Sequence, residues 1–198
     1  MKDLYIIKYE PDGEGAPYFF DLNWVPDLPT FHYPTENPRL DILSTHYRAM
    51  ADVPQLRADW LPDHFLASKA FLAVCDFCEC KYVSRPVELF VHGEAKQDKE
   101  YFFFAVIERL RAMDLDNSSF VLDNNVKIEG PDSRCLNFER IDKLVVAENI
   151  DSDLFYFEEI NEVVCSARFL NECVSKKIYG LDFKKIDDSY QYAPWDDF

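Results

Sequence analysis

Glycine is scarce in this chain, with five residues in 198. No secretion signal is expected either: the opening segment, MKDLYIIKYEPDGEG, returns to charge after three or four apolar residues, too soon for a signal-peptide core. No run approaches the roughly 20 apolar residues that a membrane span needs. These absences predict a cytoplasmic protein whose six cysteines, at 75, 78, 80, 135, 165 and 173, stay mostly reduced. The motifs of catalysis are absent too. There is no Gly-x-Ser-x-Gly, no phosphate-cradling glycine loop and no His-Glu-x-x-His, so no catalytic residue is assigned.

Metal chemistry has little support. Tetrahedral zinc needs about four N or S ligands, usually from two separated pairs. The chain has Cys75-Asp-Phe-Cys78-Glu-Cys80 and no second Cys-x-x-Cys, while His32, His46, His64 and His92 are scattered. Cys75 and Cys78 share a helical face with Phe71 and Leu72, where small thiols pack as ordinary core residues. No metal and no cofactor is expected.

What the chain does have is aromatics and acid. Phe numbers 17 and Tyr 11, which implies a rigid, well-packed globule rather than a disordered acidic tail. At this length roughly 70% of the unfolded surface can be buried, enough for a core without staples. The net charge is −16. A field of that sign repels phosphate backbones and anionic lipid, which argues against direct nucleic-acid or membrane binding, and it attracts a basic partner. Acidity that serves only solubility is the competing explanation.

Along the chain, Leu4 to Tyr9 reads as a strand ending in the turn Glu10-Pro11-Asp12-Gly13, and Tyr18 to Leu22 as a short return strand. Prolines 26, 29 and 34, with Pro38 just beyond, predict an irregular segment from Asn23 to Asn37, with Trp24 and Trp60 anchoring it to the core. An amphipathic helix is expected over about 68–80, ended by Arg85-Pro86, with a strand over Val87 to Val91. Glu100 to Ile107 is a strand or a buried helix; its periodicity fits both. Asp114 to Asp123 reads as a turn into a strand. Val126 to Ile128, Leu136 to Phe138, Leu144 to Val146, Leu154 to Phe157 and Val163-Val164 suggest an antiparallel meander. A second helix over about 166–176, capped by Gly180, precedes a strand over 181–186. The fold class is α+β, a mixed or antiparallel sheet with a few amphipathic helices.

One echo runs through the chain. Ser68-Lys-Ala-Phe71-Leu72 with Cys75 recurs as Ser166-Ala-Arg-Phe169-Leu170 with Cys173. Each Ser can cap a helix, Phe and Cys supply its buried face, and a strand follows. Two similar helix–strand units fit this pattern, as does chance likeness between two amphipathic helices.

Two stretches mix carboxylates with large rings, a combination suited to gripping a basic partner. One is the tail, residues 187–198, with Asp187, Asp188, Tyr190, Tyr192, Trp195, Asp196 and Asp197. The other holds Asp151, Asp153, Tyr156, Glu158 and Glu159. Against this stands a tail folded onto its own core. Carboxylate pairs such as Glu158-Glu159 also fit a solvated face better than acid–base work.

The order of elements from about Trp60 to Ile186 resembles the type-eleven immunity proteins of bacterial polymorphic-toxin systems. The likeness rests on Trp60-Leu-Pro62 with Phe65, on SKAFLAVCDFCECKYVSRPVELF, on Tyr101 to Phe120, on LFYFEEINEVVCSARFLNECV and on IYGLDF. It implies one immunity-type domain over 1–186, with 1–59 as its amino-terminal part, and a separate tail. It also implies a non-enzymatic protein that binds and neutralises a cognate toxin, often a nuclease. A cytosolic chaperone or adaptor for a secreted effector is the alternative.

Overall fold

The computed structural model describes residues 3–30, 37–92, 98–123 and 137–193. Among them the chain forms β1 (Leu4–Tyr9), β2 (Leu22–Val25), β3 (Tyr47–Ala51), β4 (Trp60–Leu61), β5 (Leu66–Ser68), α1 (Lys69–Phe77), β6 (Tyr82–Val91) and β7 (Tyr101–Val106). There follow β8 (Arg109–Leu110), β9 (Ser119–Leu122), β10 (Phe138–Lys143), β11 (Leu154–Phe157), β12 (Glu162–Ser166), α2 (Ala167–Ser175) and β13 (Leu181–Lys185). The strands make a six-stranded sheet in the order β2-β3-β6-β7-β5-β4, a five-stranded sheet β13-β1-β12-β11-β8, and a β9–β10 pair. Only β3·β6 and β8·β11 are parallel among these pairings. The α+β class expected from sequence is what forms.

The ambiguous aromatic run is the strand β7, buried on both faces. Phe104 and Val106 point into one cluster with Phe71 and Trp60, whereas Phe103 and Ala105 point into another with Tyr47 and Val83. A strand covered on both sides loses its polar alternation, so periodicity cannot reveal it. Trp60 is buried, and Trp24 meets Tyr47 and Phe103 edge-on at 5.5 and 6.2 Å, as anchors should.

Several expected boundaries move. The irregular segment begins later than expected, because Leu22–Val25 forms the edge strand β2, and Tyr18 to Asp21 is loop. Arg85-Pro86 does not end anything: β6 runs through it. Pro86 stands one position before pairing with β3 begins at Val87, a place where a strand tolerates a residue without an N–H. The meander is divided between two sheets, since β9–β10 stand apart while β11–β12 join β1 and β8. Leu144 to Val146 is no strand; Val146 makes a single bridge to Met113. Val126 to Ile128 and Leu136 lie outside the described residues.

The echo is structural. Ser68 and Ser166 each accept the amide of the residue three ahead, Phe71 or Phe169, at 3.2 Å. Each hydroxyl also donates to a buried carboxylate, Asp59 Oδ1 at 2.6 Å and Asp153 Oδ1 at 2.5 Å. Both helices end alike. Glu79 and Lys177 turn left-handed, and the next amides, of Cys80 and Ile178, return to the carbonyls of Cys75 and Cys173 at 2.9 Å. Lys177, not Gly180, therefore supplies the turn after α2. Gly180 lies three residues on at φ +85°, where an added Cβ would meet Ala58 Cβ at 3.0 Å.

The strand beside each helix entry is also equivalent: Ser68 pairs with Tyr101 of β7, and Ser166 with Leu4 of β1. The chain order differs, since β7 follows its helix and β1 comes from the amino-terminal end. The two units share one core. Phe71 and Phe169 meet edge-on at 5.8 Å, with Val74, Cys75, Cys78, Cys165 and Cys173 in the same cluster.

Asp59 and Asp153 also hold a cation each, Lys99 at 2.7 Å and Arg168 at 2.8 Å. Removing a buried carboxylate with several partners strands all of them. Asp59→Ala and Asp153→Ala should each cost about 2–4 kcal/mol in urea unfolding, whereas exposed Asp188→Ala should stay within about 0.5 kcal/mol.

Candidate partner-binding surface

The residues singled out from sequence separate into interior and surface. Asp153, Tyr156 and Tyr190 are 7%, 4% and 7% exposed, and thus sit inside the folded chain. Asp151, Asp187 and Asp188 are exposed; Glu158, Glu159 and Tyr192 are half-buried. Trp195, Asp196 and Asp197 lie outside the described residues.

The first part of the tail folds back. Tyr192 exchanges backbone hydrogen bonds with Ile141 of β10 at 2.7 and 3.1 Å, and Tyr190 packs with Ile141 and Phe138. Asp187 accepts the amide and hydroxyl of Ser189, which hold its carboxyl below the usual range. The tail is thereby bound to the second unit rather than extended.

The second stretch is partly neutralised. Glu158 faces Arg109 at 3.2 Å and Arg111 at 3.1 Å. The Arg109 guanidinium lies 4.3 Å from the Tyr156 ring centre, and burial pushes the Tyr156 phenol up to about 12. Glu159 accepts the Ala112 amide at 3.2 Å, and burial raises its carboxyl above the ordinary value of 4.5.

The concave feature of this region went unread in the sequence. A cleft of about 420 Å³ opens between the β4–β5 hairpin and the β11–β12 hairpin, the corresponding parts of the two units. Tyr9, Asp63, Phe65, Tyr156 and Glu162 line it, with Lys8 paired to Glu162. Beside it stands the loop from Asp12 to Asp21, joined to the cleft wall by the Tyr9 hydroxyl, which donates to the Pro17 carbonyl at 2.8 Å. Phe20 packs on His64 with ring centres 4.2 Å apart. The loop carries Tyr18 at 64% and Phe19 at 93% exposed. Its sequence signal is Tyr-Phe-Phe after an Asp-Gly turn, a stretch whose aromatic content also fits the strand expected over Tyr18 to Leu22.

Five cysteines are described, all as free thiols, and four of them are buried. Burial raises Cys75 and Cys165, and lifts Cys78 to about 11 and Cys173 to about 12. These are packing thiols, not nucleophiles. Among the described residues no three His, Cys, Asp or Glu side chains are grouped to hold a metal, and no helix is long and apolar enough to cross a membrane.

The structure is thus that of an acidic α+β protein with exposed rings among carboxylates. More particularly, the chain belongs to the immunity protein family (Imm11), whose model matches residues 10–188. No curated protein matches the chain. Family membership makes it an immunity protein, with a toxin as the implied partner. The match starts well before Trp60, where the resemblance read from sequence began, so the loop beside the cleft belongs to the family region.

Two solution properties follow. Because Glu159 has a raised folded value, its burial opposes folding once pH climbs from about 4.5 through that value, and the cost vanishes on acidification. Glu159→Gln should flatten the fall of stability with rising pH across that window in urea titrations. With an aromatic disulfide reagent near pH 8, Cys75, Cys78, Cys165 and Cys173 should react only after denaturant is added.

Proposed function

We propose that this chain binds and neutralises a cognate bacterial toxin domain that acts in the cytoplasm, a basic nuclease being the class that fits its chemistry best. The observation that carries the reading is the Imm11 match over residues 10–188 in a chain of net charge −16. An enzyme that cleaves nucleic acid must present a positive surface to phosphodiesters, and an acidic inhibitor can occupy that surface in their place. Opposite fields raise association rates by roughly 10- to 1,000-fold, which matters for an inhibitor that must reach the toxin before the toxin reaches its target.

The proposed contact surface includes Asp151, Asp187, Asp188 and the exposed edges of Glu158, Glu159 and Tyr192. Asp153 and Tyr190 are buried and do not contribute directly, and Tyr156, buried as well, lines the cleft. No step of catalysis is needed: inhibition is occupancy, and its duration depends on anchors that slow dissociation.

The test is co-expression in a bacterium with the toxic domain encoded beside this gene. Growth should be restored by the chain and by no unrelated acidic protein of equal charge. Association measured by stopped flow should slow by at least about tenfold between low and high ionic strength. Failure to restore growth, with both proteins folded and expressed, would defeat the proposal.

A further inference from the structure

Resting on that reading, we infer that the partner docks on the loop from Asp12 to Asp21 and the adjoining cleft, inserting a lysine or arginine side chain between the two hairpins while Phe19 enters an apolar recess of the toxin.

Phe19 carries the first part of the argument. A phenylalanine 93% exposed forfeits the burial that stabilises other rings of the fold, and here it is not on a loose segment. The Asp12 carboxylate accepts the amides of Glu14, Gly15 and Ala16 at 2.9, 3.1 and 2.9 Å. The Gly15 carbonyl accepts from Arg57 and Ala58 at 2.7 and 3.0 Å, and Ala16 is fully buried. Space is tight as well, since a Cβ on Gly15 would lie 2.9 Å from Arg57 Cβ. The two rings are thus displayed on a pinned frame. Such an anchor loses little freedom on binding, which is how a few residues come to dominate an interface.

Charge specifies the occupant. Around the loop and cleft stand Asp12, Glu14, Asp21, Asp63 and Glu162, against Lys8, Arg57 and Arg109, the last over the Tyr156 ring and paired with Glu158. Among the described residues only Glu162 of these five has an ion-pair partner, Lys8. A surface with surplus carboxylates and nearby rings suits a cation on two counts, Coulomb attraction and the electron-rich rings of Tyr9 and Phe65. Tyr156 already accepts a guanidinium from within the chain, that of Arg109. At about 420 Å³ the cleft is sized for side chains, not for a duplex or a folded domain, so the partner reaches in with an extension of its basic face.

Symmetry gives the cleft a reason to exist. The two hairpins that flank it come from equivalent places in the two units, each leading into a Ser-capped helix. Their tips carry left-handed residues, Phe65 and Asn161. Packing the helices against each other sets the hairpins side by side and leaves the gap between them.

The experiment uses the full chain and the catalytically inactivated toxic domain encoded beside its gene, with affinity by calorimetry and association by stopped flow. Phe19→Ala should weaken binding by at least about 30-fold with the melting temperature unchanged. Asp63→Lys should slow association, most at low salt, and more than Asp116→Lys, which places the same charge change on the loop before β9. Wild-type chain that binds while Phe19→Ala and Asp63→Lys match it would overturn this docking site and leave the immunity reading standing. Asp63→Lys and Asp116→Lys that slow binding equally would assign the effect to overall charge and overturn it too. Wild-type chain that does not bind would remove the reading beneath it.

Discussion

Two carboxylates inside the protein, Asp59 and Asp153, organise the regions around them. Each takes a serine hydroxyl and a cation, and each lies at the start of a hairpin that leads into a helix. The serine held in this way turns its other side to the first turn of the helix, so a buried ionic group and a helix cap become one unit. A charge in such a place is costly unless every lone pair is occupied. Asp59 offsets that cost with a third donor, the Tyr179 amide at 2.8 Å, which ties the segment after α2 to the first unit. The two helices then meet over Phe71 and Phe169 in one shared core.

How much of this could be read beforehand depended on range. The serine, phenylalanine and cysteine spacing of each helix is local, and both helices appear where it placed them. The pairing of β1 with β12 and β13 joins residues more than 150 positions apart, and no local pattern announces it. Nor does composition separate a tail that folds back from one that reaches out: Tyr190 and Phe19 are both rings next to acid, yet one is 7% and the other 93% exposed. Only the neighbours, Ile141 and Phe138 for Tyr190 and none of comparable depth for Phe19, distinguish them. The site residues chosen from acid-plus-aromatic composition were therefore divided, with Asp153, Tyr156 and Tyr190 inside and the other described ones at or near the surface. The cleft was invisible for the same reason, since its walls come from three separate stretches of chain.

Under the proposed function, fold and charge have different parts in inhibition. Surplus carboxylates would act at a distance and set how often a basic partner arrives in a productive orientation. A closely packed aromatic core acts at contact, because a surface that does not rearrange loses less entropy when it is covered. The buried cysteines contribute to that packing, since Cys75, Cys78, Cys165 and Cys173 sit in the core cluster the two helices share.

Neutralisation by occupancy differs from destruction of a toxin in its stoichiometry, so titration is the most direct measurement. Residual activity of the toxic domain should fall linearly with added chain and reach its floor at one chain per toxin. Complete loss of activity at far less than one equivalent would mean turnover, and undiminished activity at many equivalents would mean no inhibition; either result contradicts the account.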